Sequence, residues 1–186
     1  MRLFAAVLPP APVLAELGRA VDRLTAREGL RWTGRDGWHL TLAFYGDVPE
    51  AIVPELAERL ARAAGHTQEF ELALRGGGHF GGRALWAGGD GDVAAMRRLA
   101  ERAEAAGRRA GLPGEHRRYR PHLTLARSRG DDVDFGPYVE ALDSFAGTAW
   151  TVGELALVRS NLPDSGVPGE RPRYEKVEGW PLTATR

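Results

Sequence analysis

The most constraining feature of the sequence is a five-residue segment that occurs twice. The segment HLTLA at His39–Ala43 is repeated without a change at His122–Ala126, at a spacing of 122 − 39 = 83 residues in a chain of 186. A repeat at nearly half the chain length is typical of a domain made of two duplicated halves. The repeat therefore predicts two related lobes, each with its own copy of the segment.

Each copy of the segment is predicted to form a β-strand. Residues two apart share a face of a strand, so His39 and Thr41 point to one side, and His122 and Thr124 do the same in the second copy. The leucines between them face the core, and strict alternation along the first strand places Phe44 on that core face as well. One half-buried His-Thr pair is ordinary in a strand. Two identical pairs half a chain apart indicate a shared site.

Two imidazoles beside two hydroxyls suit a substitution at phosphorus. The unperturbed pKa of histidine is about 6.5, so near neutral pH one imidazole can be neutral and the other protonated. One histidine would deprotonate an attacking water while the other protonates the leaving oxygen. Thr41 and Thr124 can donate hydrogen bonds to the non-bridging phosphate oxygens. This chemistry needs no metal ion, and the symmetry of the copies does not choose which histidine is the acid.

The composition limits the classes of partner. Lys and Arg number 25 and Asp and Glu number 25, a balance that argues against a protein coating long nucleic acid or an anionic membrane. There is no cysteine, which excludes disulfides, thiolate nucleophiles and cysteine-ligated metals. Of the five histidines only His39 and His122 have matched surroundings, so no metal site is predicted. No signal peptide or membrane-spanning segment is recognised, so we expect a cytoplasmic protein.

The remaining pattern predicts a single α+β domain over residues 1–186 with antiparallel pairing, because strands and helices alternate irregularly and no linker divides the chain. Helices are predicted to begin near Val13, Pro49 and Val93, with a short one at 137–142. Strands are predicted at 3–8, 38–45, 70–74, 83–87, 122–126, 150–159 and 174–182, the last suited to a sheet edge. The glycine-rich stretch at 76–82 is predicted to be a turn.

Four stretches of the chain give a resemblance to a known family: Arg2–Pro9, Trp38–Gly46, Phe80 with Arg83–Gly88, and Arg120–Arg127. They resemble the two-histidine phosphoesterases, and within that superfamily the RNA 2′,3′-cyclic phosphodiesterase group, also called 2′-5′ RNA ligase or LigT-like. The resemblance extends over nearly the whole chain. Both His-x-Thr-x motifs of the family match without gaps.

The resemblance implies a bilobal, pseudo-twofold α+β fold with two antiparallel sheets, flanked by helices, around a central cleft. It implies hydrolysis of a terminal 2′,3′-cyclic phosphate on RNA or an oligonucleotide to the 2′-phosphomonoester. We expect the protein to act as a monomer without a cofactor. His39 would be the proton donor and His122 the proton acceptor that activates water. Thr41 and Thr124 would complete the catalytic set.

Two further residues are candidate substrate-binding groups. Arg127 follows the second motif, and a guanidinium suits phosphate because it can bind two oxygens at once. Strict alternation places Arg127 on the face opposite His122, so a bulge or twist is needed to turn it inward. Tyr45 stands where the family often has leucine. It shares a strand face with His39 and is a candidate for stacking on a base.

Three alternative functions use the same residues. Joining RNA ends through a 2′-5′ linkage is the reverse reaction, and hydrolysis of another small cyclic phosphate is a second enzymatic alternative. A non-catalytic protein that binds RNA ends is the alternative from a different class. It predicts the loss of one motif copy, whereas both copies are intact here.

Overall fold

The computed structural model describes residues 1–24, 30–114, 118–130, 133–162 and 172–184. Within these ranges the strands are β1 (Arg2–Val7), β2 (Leu30–Trp32), β3 (Leu40–Asp47), β4 (Phe70–Phe80), β5 (Ala84–Gly91), β6 (His122–Ser128), β7 (Trp150–Val152), β8 (Glu154–Asn161) and β9 (Arg173–Pro181). The α-helices are α1 (Ala11–Asp22), α2 (Val53–Gly65), α3 (Val93–Arg109) and α4 (Gly136–Leu142), and Arg35–Gly37 forms a 3-10 turn.

The described strands form one antiparallel network with two halves. Its order is β7-β4-β5-β6-β3-β1-β8-β9, with β2 paired to β6. One lobe contains β1, β3, β8 and β9, and the other contains β2, β4, β5, β6 and β7. The lobes meet between β3 and β6 at a single register pair, Leu40 with Leu123, which are equivalent positions of the repeat. The predicted α+β class with antiparallel pairing is confirmed, and the two lobes share one nine-stranded sheet that is continuous through this pair.

The helices bury their apolar faces against the strands. Helix α3 packs on β3, β4 and α2, while α2 packs on β8 and β9, and α4 packs on β4 and β5. Their buried side chains share one hydrophobic cluster with the leucines of both repeats: Leu56, Leu60, Met96, Leu99, Ala103, Leu142, Leu40, Leu42, Leu123 and Leu125. Both motif strands are therefore anchored in the core, as predicted. None of the described helices is long and apolar enough to cross a membrane.

The predicted single strand at 150–159 is wrong. The chain divides at Gly153 into β7, which pairs with β4, and β8, which pairs with β1. The strand segments therefore belong to different lobes. A run of strand-forming residues indicates extended backbone but carries no information about a change of partner, so the sequence could not show the division. The polar strand predicted near the C-terminus does lie at the edge, as β9.

The predicted turn at 76–82 is also wrong, because β4 continues to Phe80 and the turn is confined to 81–83. At two of the strand glycines, Gly77 and Gly78, neighbouring side chains occupy the space that a Cβ would fill. A Cβ on Gly78 would lie 2.3 Å from carbons of the Trp86 ring. That ring in turn reaches His122, with ring centres 6.0 Å apart. The Trp86 ring that packs closely over Gly78 thus also supports His122.

The substitution Gly78→Ala is expected to lower the free energy of unfolding by about 1–3 kcal/mol, because the added methyl group must displace the Trp86 ring from a packed position. Denaturant unfolding measures this change. Gly65→Ala is the matched control, because nothing lies within 4 Å of the position of its Cβ. The control should be neutral or stabilising by up to about 1 kcal/mol. Equal effects of the two substitutions would contradict the packing described.

Candidate active site

The two motif histidines have the same hydrogen bond in each lobe. His39 immediately precedes β3, and its Nδ1 lies 2.7 Å from the backbone oxygen of Gly37. His122 begins β6, and its Nδ1 lies 2.7 Å from the backbone oxygen of Arg120. A carbonyl oxygen only accepts, so Nδ1 must carry a proton in both rings. Each neutral imidazole therefore keeps its lone pair on Nε2.

The motif threonines lie beside the histidines, as predicted. Nε2 of His39 is 3.1 Å from Oγ1 of Thr41. Thr124 occupies the equivalent place in β6, where it is opposite Trp86 in the register with β5. Both threonines are half-buried, which leaves their hydroxyls able to reach a ligand. The structure thus places His39 beside Thr41, with His122 and Thr124 at the equivalent positions of the second motif.

Aromatic side chains pack against each histidine ring. His39 contacts Phe4 and Tyr174, with ring centres 4.6 and 5.2 Å apart. His122 contacts Phe80 edge-on at 4.9 Å. Such ring contacts restrict the rotation of an imidazole and exclude water from its faces. Sequence reasoning missed these aromatic contacts, because Phe4, Phe80 and Tyr174 lie far from the motifs along the chain.

Burial lowers the pKa of both histidines below the usual value of 6.5. The hydrogen bond to Gly37 partly opposes this effect at His39, while the positive charges of His122 and Arg127 add to it. The pKa of His122 is lowered chiefly by burial and then by Arg127 and Arg120. Both imidazoles are therefore biased toward the neutral form, which can accept a proton at Nε2.

A β-bulge turns Arg127 toward the site. The register between β5 and β6 shifts so that Leu125 has no partner, since Leu85 pairs with Ala126 and Trp86 with Thr124. Two consecutive buried residues therefore precede Arg127, which is exposed and lines the same cavity as His122. Strict alternation would place Arg127 on the face opposite His122. This bulge interrupts the alternation and turns Arg127 inward.

The same bulge occurs in β3 and reverses two predictions. Ala5 pairs with Ala43 and Ala6 with Thr41, which leaves Leu42 without a partner. Phe44 consequently points outward with 39% of its surface exposed, rather than into the core.

Tyr45 is correspondingly buried, with 4% of its surface exposed. Its hydroxyl donates to the backbone oxygen of Ala103 at 2.8 Å, and its ring packs on Gly107 of α3. Burial and the nearby charge of Glu104 raise its pKa. The bulge therefore moves this side chain to the core face, and base stacking by Tyr45 stays a prediction.

Tyr119 is a further residue that sequence reasoning missed. It lies just before β6, yet its hydroxyl donates to the backbone oxygen of Thr41 in the other lobe, at 3.0 Å. Burial raises the pKa of this phenol, which keeps it a hydrogen-bond donor. The bond ties the two motifs together. No local sequence signal could have found it, because the partners are 78 positions apart.

A cavity of about 690 Å³ opens beside the motifs. Its wall includes Thr41, His122 and Arg127, and also the exposed rings of Phe44 and Phe80. This volume is within the usual range of sites for small organic ligands. Among the described residues there is no group of three or more His, Cys, Asp or Glu side chains that could share a metal ion.

Comparisons with known proteins relate the chain to RNA-processing enzymes. The family model described as the 2′-5′ RNA ligase superfamily matches residues 9–164. A Thermus thermophilus protein named RNA 2′,3′-cyclic phosphodiesterase is 33% identical over 199 residues, which cover 98% of this chain and 90% of that protein. A Geobacillus stearothermophilus protein of the same name is 33% identical over 92% of this chain, but the chain spans only 55% of its length.

Solved structures show the same fold. A crystal structure of a Thermus thermophilus protein matches with a TM-score of 0.80 and 30% identity, and covers 100% of both chains. Escherichia coli LigT complexed with 3′-AMP matches with a TM-score of 0.80 and 25% identity, and covers 98% of both chains.

The substitution Tyr45→Phe tests whether this ring belongs to the core. Removal of the hydroxyl leaves the Ala103 carbonyl without its partner, so the free energy of unfolding should fall by about 1–3 kcal/mol. Thermal or denaturant unfolding measures the loss. Unchanged stability would contradict a buried hydrogen bond from this hydroxyl to the Ala103 carbonyl.

Proposed function

The chain belongs to the 2′-5′ RNA ligase superfamily, and from this membership we propose that it is an RNA 2′,3′-cyclic phosphodiesterase. It would hydrolyse the cyclic phosphate at an RNA or oligonucleotide 3′ end to a 2′-phosphomonoester. The observation that carries the proposal is the matched pair of motif strands. Each presents an imidazole with Nδ1 bound to a backbone oxygen and Nε2 available for proton transfer.

The reaction is an in-line displacement with two proton transfers. His122 accepts a proton from water at Nε2 as the water oxygen bonds to phosphorus. The bond between phosphorus and the ribose 3′ oxygen breaks on the opposite side, and protonated His39 donates its Nε2 proton to that oxygen. The 2′ ester bond remains, which gives the 2′-phosphomonoester. The assignment of donor and acceptor follows the family resemblance, and solvent exchange restores both protonation states.

Three groups would stabilise the charge on the non-bridging oxygens. The Thr41 and Thr124 hydroxyls can each donate a hydrogen bond, and the Arg127 guanidinium can donate two. Preorganised donors of this kind act most strongly on the charge that develops in the transition state. The bulge in β6 supports this role for Arg127, because it turns the residue to the cavity that His122 lines.

The proposed mechanism needs neither a cofactor nor a second chain. The two imidazoles move both protons, and threonine and arginine side chains balance the phosphate charge. Every one of these groups comes from a single polypeptide. The protein is therefore proposed to act as a metal-independent monomer on RNA ends.

The proposal predicts a large loss of turnover when either motif histidine is removed. His39→Ala and His122→Ala should each lower kcat on RNA with a terminal cyclic phosphate by about 10²–10⁴-fold, the usual contribution of general acid–base catalysis. Chromatography of the products measures the rate. His66→Ala is the control, because His66 is exposed at the C-terminal end of α2 and should leave turnover unchanged. Activity within tenfold of the parent in both motif variants would exclude the mechanism.

The lowered histidine pKa values also predict an acidic pH optimum. The productive enzyme has one neutral and one protonated imidazole, and kcat/KM reports the pKa values of the free enzyme. Because both values lie below 6.5, the optimum of kcat/KM should lie below about pH 6.5. The rate should fall as the pH rises further and the donor loses its proton.

A charge variant provides the matched control for the pH profile. Arg127→Gln removes a positive charge that lowers the pKa of both histidines, so its optimum should move to higher pH even though its rate is lower. An optimum above about pH 8 in the parent protein, or no shift in the variant, would contradict this account.

A further inference from the structure

We propose that Arg118 and Arg120 bind the phosphate on the 5′ oxygen of the terminal nucleoside, so that the protein acts on the end of a chain in preference to a cyclic mononucleotide. This inference rests on the proposed function and deepens it, because it names the part of the RNA that is bound next to the reacting group. It is carried by two arginines that line the same cavity as His122 and have no carboxylate partner among the described residues.

The wall of the cavity is positively charged, although the chain as a whole has a net charge of zero. The wall contains four arginines and two glutamates, a difference of 4 − 2 = 2 charges: Arg83, Arg118, Arg120 and Arg127 against Glu101 and Glu104. One of the two glutamates, Glu104, already pairs with Arg108 outside the wall. Arg127 and a protonated histidine suffice for a cyclic phosphate, which has a single negative charge. The surplus positive charge therefore suits a second anion beside the first.

Arg118 and Arg120 are exposed and available to a ligand. Neither forms an ion pair with a carboxylate in the part of the chain that the structure describes. The Arg120 guanidinium lies 5.2 Å from the centre of the Trp86 ring. This contact restricts the orientation of the guanidinium and leaves the N–H groups at its edge to bind phosphate oxygens. Arg120 is thus preoriented, and Arg118 extends the positive surface.

Two hydrogen bonds fix the segment that carries these arginines relative to both motifs. Tyr119, which lies between them, donates from its hydroxyl to the backbone oxygen of Thr41 at 3.0 Å. The backbone oxygen of Arg120 lies 2.7 Å from Nδ1 of His122. Because extended chain spans at most about 3.6 Å per residue, the Cα atoms of Arg118 and Arg120 lie within about 14 and 7 Å of that of His122. The positive charge is therefore held at a short, fixed distance from the motif histidine.

The end of an RNA has an anion at the corresponding place. A single strand has one phosphate per nucleotide, so the diester on the 5′ oxygen of the terminal ribose is the charge nearest to the cyclic ester along the chain. Arginines bind such a group through charge-assisted hydrogen bonds. A cyclic mononucleotide without a 5′-phosphate has no charge at this position. The two arginines therefore distinguish a chain end from a free nucleoside cyclic phosphate without reading the base.

Three substrates with the same terminal adenosine test the inference. They are adenosine 2′,3′-cyclic phosphate, the dinucleotide ApA with a 2′,3′-cyclic phosphate, and the same dinucleotide with a neutral methylphosphonate linkage. Both dinucleotides have a 2′-O-methyl group on the first ribose, which keeps the linkage stable. The parent protein should prefer the charged to the neutral dinucleotide by about 3- to 30-fold in kcat/KM, mainly through KM.

Arg118→Gln should remove most of this preference and leave kcat/KM for the mononucleotide within about twofold. Arg118 is the residue to change, because it is not among the charges that chiefly lower the pKa of either motif histidine. Arg118→Lys retains the charge and should retain most of the preference. Arg109→Gln is the matched control, because Arg109 is an exposed arginine at the C-terminal end of α3 that does not line the cavity. It should leave the preference unchanged.

An unchanged preference in Arg118→Gln, or the same change in Arg109→Gln, would overturn the inference. A higher kcat/KM for adenosine 5′-phosphate 2′,3′-cyclic phosphate than for the charged dinucleotide would assign the arginines to a phosphorylated mononucleotide and overturn the preference for a chain.

The proposed function fails separately, if the parent protein hydrolyses none of these substrates. Calorimetric titration with the two dinucleotide products, each synthesised with a 2′-phosphate, then tests the arginines alone. The inference stands if Arg118→Gln weakens the binding of the product with the charged linkage only. It falls if the substitution changes the binding of both products equally or of neither.

Discussion

The register pair between Leu40 and Leu123 is the contact on which the site depends. These leucines follow the two motif histidines and join the two halves of the sheet. Leu40 and Leu123 are equivalent positions of the repeat. The histidines that precede them therefore lie at the same junction and are related by near-twofold symmetry. The flanking leucines enter one hydrophobic core, so burial fixes which face of each strand is left for His39, Thr41 and their counterparts. Apolar packing thus sets the orientation of the polar site.

The two motif histidines have matching backbone surroundings, but the side chains around them differ between the lobes. The histidines share a hydrogen bond from Nδ1 to a backbone oxygen, but a different pair of aromatic rings surrounds each one. Position five after the histidine is Phe44 in one lobe and Arg127 in the other. A displacement at phosphorus is itself asymmetric, with an entering water on one side and a nucleoside on the other. Under the proposed mechanism the duplicated histidines would be the acid–base pair, and the different flanking residues would distinguish the two sides of the phosphate.

The alternation of strands and helices predicted the fold class, and the repeat predicted which residues face the core at the start of each motif strand, because alternation along a strand and burial of leucine are local rules. The same rule failed after Thr41, where the bulges exchange the faces of Phe44 and Tyr45 and turn Arg127 inward. A bulge is set by pairing with another strand, which a single segment cannot show. The bond from Tyr119 to the Thr41 backbone and the division of one strand at Gly153 likewise depend on distant partners.

The most direct test of a two-histidine site is the fate of the water oxygen. The protein would be incubated, with excess chelator and in ¹⁸O-labelled water, with a short RNA that ends in a 2′,3′-cyclic phosphate, and the products analysed by mass spectrometry and chromatography. We expect a 2′-phosphomonoester with one ¹⁸O atom on phosphorus. A rate that is abolished by the chelator and restored by a metal, or a product without the label, would contradict it.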